Sequence, residues 1–310
     1  MTHISIGTRK SKLAMWQTER VVEILEENRI TTSIAAMETK GDNILDRSIV
    51  KIGSKGVFTE ELEEQLVSGK TDIAVHSAKD LPSILPDGFE LIAFTEREKS
   101  HDVLISLNKR AFERDWKKLV IGTSSVRRVA ILNHYFPGIN IVPIRGNLQT
   151  RIKKMEEGQC DVLMLAYAGV KRMEYEHMII HHFDPEQFIP PVGQGCIAIE
   201  AAKNLSVEKK KQIRECLNDA ESECCLLAER AYLKKLEGGC SIPAFGHARI
   251  VNDTIELVAG LASLDGSRLL SRKMTGSIDD PEKTGATLGN DILENGGREI
   301  LTQIKRQQER

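Results

Sequence analysis

Residues 72–82 read Asp72-Ile-Ala-Val75-His76-Ser77-Ala78-Lys79-Asp80-Leu81-Pro82. The short apolar run that ends at Val75 predicts a buried strand. Polar and reactive side chains follow at once, and Pro82 prevents a helix from continuing the segment. The stretch therefore predicts a strand whose carboxyl end presents several functional groups together, with Lys79 and Asp80 among them.

The segments before this strand alternate in type. They are predicted as a strand at His3–Gly7, a helix at Ser11–Glu27, a strand at Ser33–Met37 and a helix at Thr59–Val67, the last with only Thr59 as its cap. Together with the strand at 72–75 they give the order β-α-β-α-β. This order predicts an α/β domain with a mostly parallel sheet and helices on both faces.

The same order returns further along the chain. It comprises a strand at Leu119–Ile121, a helix at Ser124–Tyr135, a strand at Asn140–Val142, a helix at Leu148–Glu156 and a strand at Asp161–Leu165. Two units of similar size predict two similar domains with a cleft between them, the architecture of periplasmic binding proteins. The prolines and glycines of Phe188–Gly195 predict a hinge, or a return crossing between these domains.

The remaining chain predicts a smaller α+β domain. It contains a helical stretch at Val207–Lys235, strands at Ile255–Leu261 and Ser267–Thr275, and a closing helical stretch between Pro281 and Arg306. We therefore expect three domains: residues 1–98 with 192–214, residues 99–191, and residues 215–310.

Composition excludes several classes of protein. The 310 residues are 28% charged and 41% hydrophobic, with a net charge of −2, which is typical of a globular protein and gives no whole-chain attraction for nucleic acid. No run approaches the roughly 20 apolar residues of a membrane span, and the first residues lack the pattern of a signal peptide. The six cysteines form no CxxC pair and no zinc-finger spacing. We expect a cytoplasmic protein with free thiols, no metal site, and neither nucleic acid nor a membrane as its partner.

Positive charge is concentrated in residues 121–172, where Lys and Arg exceed Asp and Glu by five. Several of these cations follow strands, at the edge where open α/β sheets bind ligands. Gly122-Thr-Ser-Ser125 also opens a helix there, which supplies hydroxyls and free N–H groups. Any one arginine is equally well explained as a solvated surface residue, but the set favours a ligand with several negative charges. Spacing does not separate a polycarboxylate from a polyphosphate, and no P-loop motif is present.

Three further features carry possible chemistry. Asp80 beside Lys79 is either a plain surface ion pair or a carboxylate that stabilises developing positive charge. The polar segment at about 42–58 is either a mobile lid or an ordinary loop. Cys240 follows two glycines in an exposed turn, so that its thiol either carries a covalent group or fills a core.

The motifs, taken together, resemble the porphobilinogen deaminase (hydroxymethylbilane synthase) family along nearly the whole chain. They are Gly7-Thr-Arg9-Lys-Ser11, Thr39-Lys-Gly-Asp42, Gly53-Ser-Lys55-Gly-Val-Phe58, His76-Ser-Ala-Lys-Asp80-Leu-Pro, Gly122-Thr-Ser-Ser-Val-Arg127-Arg128, Arg145-Gly-Asn147, Ala166-Tyr-Ala-Gly-Val-Lys-Arg172, Pro191-Val-Gly-Gln-Gly195 and Leu236-Glu-Gly-Gly-Cys240. The resemblance implies that four molecules of porphobilinogen are joined head to tail with loss of ammonia, after which the linear tetrapyrrole is released by hydrolysis. It also implies a dipyrromethane cofactor on Cys240 and a monomer.

The resemblance assigns roles residue by residue. The catalytic residues would be Asp80, Lys79 and Arg9. The residues that bind carboxylates of the substrate or cofactor would be Ser11, Lys51, Lys55, Phe58, Ser77, Thr123, Ser125, Arg127, Arg128, Arg145, Asn147, Arg151, Arg172 and Gln194. Each pyrrole carries two carboxylates, so the growing chain is polyanionic and suits the basic region.

Three residues depart from the family pattern. Ala78 replaces a larger apolar residue and is expected to loosen the packing behind Asp80, Cys196 adds a thiol near the hinge, and His247 stands where a small or aromatic residue is usual. A solute-binding protein would share two lobes and a hinge but would have no use for Cys240. A phosphate- or nucleic-acid-binding module would need aromatic side chains among the basic ones, and only 5% of residues are aromatic.

Overall fold

The computed structural model describes residues 2–43, 59–111, 116–237 and 241–308. The strands within these ranges are β1 (His3–Arg9), β2 (Thr31–Met37), β3 (Ile73–Ser77), β4 (Phe89–Phe94), β5 (Asp102–Ile105), β6 (Val120–Gly122), β7 (Asn140–Val142), β8 (Val162–Ala166), β9 (Ile179–His182), β10 (Ile197–Ala202), β11 (Ala244–Val251), β12 (Thr254–Ala262) and β13 (Leu269–Ser277). They form three sheets.

The helices lie between and after the strands. They are α1 (Lys12–Glu27), α2 (Lys40–Asn43), α3 (Glu60–Val67), α4 (Val126–Tyr135), α5 (Leu148–Glu156), α6 (Tyr167–Arg172), α7 (Val207–Leu217), α8 (Ala220–Lys235), α9 (Pro281–Ile292) and α10 (Arg298–Gln308). Among the described residues, no helix combines the length and the apolar character needed to span a bilayer.

The first two sheets repeat one topology. The strand order is β2-β1-β3-β10-β4 in the first sheet and β7-β6-β8-β5-β9 in the second. Only the fourth strand of each runs against the others, because β10 and β5 pair antiparallel with both of their neighbours. Four of the five strands therefore point the same way, and the prediction of two similar, mostly parallel α/β units is confirmed.

The reversed strand of each sheet is the one that arrives from the other sheet. β5 follows β4 of the first sheet, and β10 follows β9 of the second, through residues 183–196. The predicted return crossing at Phe188–Gly195 is confirmed. Gly193 and Gly195 have φ values of 78° and 97° there, a conformation that is costly for residues with a Cβ atom.

Local sequence signals explain helix α1 and the centre of the first sheet. The Ser11 side chain accepts a hydrogen bond from the backbone N–H of Ala14 at 3.3 Å and caps the helix. Val21 and Leu25 lie one turn apart on its buried face and pack with Ile4 and Ile6 of β1. By contrast, Thr59 caps α3 only by position, because its side chain makes no capping hydrogen bond.

The third sheet, β11-β12-β13, is antiparallel and packs against α8 and α9.

The helical stretch predicted at Val207–Lys235 is two helices, which was not foreseen. Asn218 ends α7 and its side chain accepts a hydrogen bond from Phe94 N, while Asp219 caps α8 by accepting one from Ser222 N. Sequence analysis also missed strand β11. The three sheets agree with three domains, and the boundaries at 98, 191 and 214 stay a proposal.

Candidate active site

The carboxyl ends of β1 and β3 meet at one edge of the first sheet because these strands pair in parallel. β1 ends at Arg9, and β3 is followed by a single 3-10 turn at Ala78–Asp80. A cavity at this edge brings together the predicted residues Arg9, Ser11, Ser77 and Asp80, along with the unpredicted Gln17 and His76. Ser77 is held in place because its hydroxyl exchanges hydrogen bonds with the Gln17 amide.

Lys79 and Asp80 differ in their surroundings. The Asp80 carboxylate is exposed, whereas burial lowers the pKa of the Lys79 ammonium to about 8 against the opposing charge of Asp80. Arg128 and Arg151 contribute to this lowering. A lysine whose pKa is lowered by burial and by neighbouring arginines indicates that the protein places fewer negative than positive charges at this site.

The side chain of Gln194 holds the Lys79 ammonium group in place. The Lys79 Nζ donates to Gln194 Oε1 at 3.2 Å, and Gln194 is fully buried. Its amide nitrogen already donates to Ser100 O at 2.6 Å and to Asp102 Oδ1 at 2.9 Å. Both amide hydrogens are therefore engaged within the protein, where Gln194 positions Lys79, and its predicted contact with a substrate carboxylate stays a prediction.

Arg127 and Arg128 are buried and share the single carboxylate of Asp102, a residue that sequence analysis missed. Arg127 donates to Asp102 Oδ2 and to Ile189 O, and Arg128 donates to Asp102 Oδ1 and to Met164 O. Burial alone would raise the pKa of Asp102, but the charges of the two arginines hold it well below its ordinary value. These contacts join β5, β8 and the return crossing, and the predicted carboxylate-binding role of both arginines stays a prediction.

The prediction that a helix begins directly after β6, at Gly122–Ser125, is confirmed. The Ser125 side chain caps α4 by accepting from Arg128 N at 3.4 Å, and Thr123 Oγ1 accepts from Ser125 N at 3.3 Å. Thr123 is itself buried. Both hydroxyls thus shape the amino-terminal end of α4.

The remaining predicted residues of the second α/β unit are Arg145, Asn147, Arg151 and Arg172. Arg145 is half-buried, and its backbone oxygen accepts a hydrogen bond from Lys154 Nζ at 3.2 Å. Asn147 is exposed and caps α5 by accepting from Thr150 N at 2.9 Å. Arg151 donates through Nε to Gly146 O at 2.7 Å, and its pKa is lowered to about 10 by burial and then by Arg128, with a smaller contribution from Arg145. Asp80 opposes that lowering, which places its charge within range of the Arg151 side chain.

Arg172 connects the two α/β units. Its guanidinium donates to Gly195 O at 2.7 Å and lies over the ring of Trp16 in α1, 5.5 Å from the ring centroid. Burial lowers its pKa. These contacts give Arg172 a part in holding the units together, and its role as a carboxylate ligand stays a prediction.

Four predicted residues lie outside the described part of the chain: Lys51, Lys55, Phe58 and Cys240. The chain on either side of residues 44–58 is held together, since Lys40 Nζ contacts Glu60 Oε2 at 2.6 Å and Lys40 N donates to Glu61 Oε1 at 2.8 Å. Next to Cys240, Ser241 O accepts a hydrogen bond from Gln308 at 2.8 Å.

Glu229 is a second buried carboxylate that sequence analysis missed. It receives Arg97 Nη1 at 2.6 Å, Gly193 N at 2.8 Å and Ala248 N at 2.8 Å, so that it ties α8 and β11 to the return crossing. Burial opposes ionisation, yet Arg97 in particular lowers the pKa of Glu229 to about 2.

The three departures from the family pattern have structural settings. Ala78 is 2% exposed, and the backbone at Gly193 approaches it so closely that a Cβ on Gly193 would lie 2.8 Å from the Ala78 carbonyl carbon; looser packing behind Asp80 stays a prediction. Cys196 does lie at the crossing, where burial raises the pKa of its thiol to about 11 and disfavours the reactive thiolate. The His247 Nδ1 lies 3.6 Å from Glu229 Oε1.

Comparisons with known proteins decide the family. Residues 4–210 match the family model "Porphobilinogen deaminase, dipyromethane cofactor binding domain", and residues 223–294 match "Porphobilinogen deaminase, C-terminal domain". A porphobilinogen deaminase of Desulfosudis oleivorans is 56% identical over 98% of this chain and 99% of its own length. One of Cytophaga hutchinsonii is 49% identical over 98% of this chain and 97% of its own.

The chain belongs to the porphobilinogen deaminase family. Its family model spans the two α/β units that carry Asp80 and the basic region, and the resemblance stated from the motifs is confirmed. Among solved structures, the methionine-binding protein MetQ covers 69% of this chain and 89% of its own at 11% identity, with a TM-score of 0.45.

The residues at the cleft fit the dipyrromethane of this family. Two pyrroles carry four carboxylates, and the groups that interact electrostatically here include Lys79, Arg128, Arg145 and Arg151, with Asp80 as the exposed acid. Because burial disfavours the charged forms of Lys79 and Arg151, a bound polycarboxylate would supply the missing counter-charge. Within the described residues, no group of three His, Cys, Asp or Glu side chains is arranged to hold a metal ion.

Lys79 gives a pH-dependent prediction for the porphobilinogen deaminase site. Since its pKa is lowered to about 8, Lys79 is charged below that pH and becomes neutral above it. We expect the KM for substrate to rise as pH increases from 8 to 9.5, with a smaller change in kcat. Lys79→Arg keeps its charge and should move this rise to higher pH. Identical KM profiles for both proteins would contradict the assignment.

Proposed function

We propose that the chain joins four porphobilinogen molecules head to tail with loss of ammonia and releases hydroxymethylbilane by hydrolysis, as a transferase of tetrapyrrole biosynthesis. In this proposal a dipyrromethane is attached through Cys240 and the protein acts as a cytoplasmic monomer. Family membership supports the reaction, and the arrangement of charges at the cleft supports the roles of individual residues.

One observation carries the proposal. An exposed carboxylate, Asp80, stands at the end of a buried strand among cations from both α/β units, and the pKa values of Lys79 and Arg151 are lowered there. A site of this kind binds a polyanion and still provides one negative charge. Condensation of aminomethylpyrroles requires that combination, because the substrates carry carboxylates while the departure of ammonia leaves a cation.

The protein's own groups would then divide the work. Asp80 stabilises positive charge as it develops on the substrate. Lys79, Arg145 and Arg151 bind carboxylates and so fix the orientation of the reacting rings. Asp102 and Gln194 hold Lys79 and the buried arginines in place. When bound, the dipyrromethane supplies the pyrrole carbon from which the chain is extended.

The test is to incubate the purified protein with porphobilinogen and quantify ammonia and linear tetrapyrrole in the same sample. We expect four ammonia molecules for each hydroxymethylbilane released. Cys240→Ser is expected to release no tetrapyrrole, since no group can be attached at that position. A protein that binds porphobilinogen and liberates no ammonia would be a binding protein, and the proposal would be wrong.

A further inference from the structure

His76 and Glu200 form a buried pair beneath the cavity of Asp80. His76 in β3 lies opposite Ala198 in the antiparallel strand β10, so Glu200, two residues further along, projects from the same face of the sheet. The His76 Nε2 lies 2.9 Å from Glu200 Oε2, with side-chain exposures of 5% and 0%. Neither residue has a role in the reaction proposed above.

Besides the nearby His76, the Glu200 carboxylate interacts electrostatically with Arg230. Neither of its oxygens accepts a well-aligned hydrogen bond from any described group. An ionised carboxylate buried without a partner is strongly disfavoured. The His76 Nε2 at 2.9 Å is therefore the polar atom placed to satisfy this carboxylate.

Two other charged groups face this pair. Glu63 projects from α3, where burial raises its pKa and the charge of Glu200 raises it further. Arg230 projects from α8, donates to Pro82 O at 2.9 Å, and interacts electrostatically with Glu200. The negative charge of Glu63 and the positive charge of Arg230 affect Glu200 in opposite directions. The side chain that lies within 2.9 Å of the Glu200 carboxylate is that of His76.

The position of His76 suits proton transfer. It lines the same cavity as Asp80 and Arg9. Asp80 is an exposed carboxylate and therefore a weak base when ionised, whereas imidazole accepts protons near neutral pH. A carboxylate behind an imidazole fixes its tautomer and stabilises its charged form, as in other catalytic acid–imidazole pairs.

We propose that His76 is the general base of the condensation and that Glu200 is the residue that positions it. This inference rests on the proposed function. In each addition the substrate's ammonium group leaves as ammonia with the electrons of its C–N bond, and the attacking pyrrole carbon forms the new C–C bond. The C–H electron pair at that carbon restores the aromatic ring, and the proton goes to His76. His76 then returns it to ammonia, which departs as ammonium.

The kinetic test compares His76→Asn and Glu200→Gln in the holoenzyme between pH 5 and 9. We expect His76→Asn to lower kcat by about 10²–10⁴-fold and to remove the ascending limb of the profile. Glu200→Gln should lower kcat by about 10–100-fold. Its ascending limb should move to lower pH, because a charge that favours the protonated imidazole is gone. His134→Asn is the control, since that ring contacts Gly266 O at 3.0 Å and lines no part of the cavity.

A second readout does not depend on turnover. In protein with ¹⁵N-labelled histidine and without substrate, NMR should show His76 with its proton on Nε2, and Glu200→Gln should alter that signal. This measurement stands even where His76→Asn fails to fold. A proton on Nδ1, or an unchanged kcat profile in folded His76→Asn, would overturn the inference. A wild-type protein that releases no ammonia would instead refute the proposed function, while the tautomer would still decide the arrangement of the pair.

Discussion

Replacing Asp80 by asparagine is expected to lower kcat by about 10²–10³-fold while KM changes by only a few-fold. The amide keeps the size of the side chain but removes an exposed negative charge that interacts with the cations Lys79 and Arg151. Stabilisation of the cation left by ammonia is lost, whereas the carboxylate-binding groups are intact. Steady-state rates with porphobilinogen measure the effect.

Asp87→Asn is the matched control for this variant. Asp87 is also exposed and lies seven positions further along the chain, but it does not line the cavity. We expect wild-type kcat for it. If Asp80→Asn kept the wild-type kcat, the role of Asp80 would be contradicted. If it lost only substrate affinity, Asp80 would be a binding residue.

Replacing Asp102 by asparagine is expected to destabilise the protein by about 3–5 kcal/mol. Asp102 is fully buried and is the counter-charge of Arg127 and Arg128, so the variant leaves two buried guanidinium groups without an anion. It also weakens the anchor of Gln194, which holds Lys79. Chemical denaturation at pH 7 measures the loss.

The pH dependence of that loss has a definite sign. The folded-state pKa of Asp102 is lowered, so its contribution is present above its unfolded pKa of about 4 and disappears as pH falls through the folded value. The difference between wild type and Asp102→Asn should stay constant from pH 8 to about 5 and shrink in acid. Glu256→Gln, which removes a half-buried carboxylate paired with the exposed Arg249 and Lys273, should cause a much smaller change. Equal effects of the two variants would contradict the role of Asp102.

Sequence patterns predicted the parts of the fold that depend on local periodicity. The alternation of apolar runs and amphipathic helices was sufficient for β1 to β3 and for β6 to β8, and the glycines of 193–195 marked the crossing. The same patterns did not reveal that β5 and β10 enter each other's sheet and run in reverse. That pairing joins residues between 58 and 126 positions apart, for which local spacing carries no signal.

The sequence predicted which residues gather near the site better than it predicted which side chains they contact. Strand ends correctly brought Arg9, Ser77 and Asp80 to one cavity. The ligand role expected of the arginines after β6 stays a prediction, and their shared pairing with Asp102, 25 residues earlier than Arg127, was not foreseen. Which cations remain for a ligand depends on buried counter-charges, and these become apparent only when the strands are assembled.

The most direct measurement is the intact mass of the purified protein, followed by peptide mapping around Cys240. The account predicts an added mass of two pyrrole units on the peptide that contains Cys240. It also predicts that unmodified protein gains this mass on incubation with porphobilinogen, and that Cys240→Ser does not. An unmodified Cys240 that stays unmodified after incubation would contradict the account, as would an adduct on any other residue.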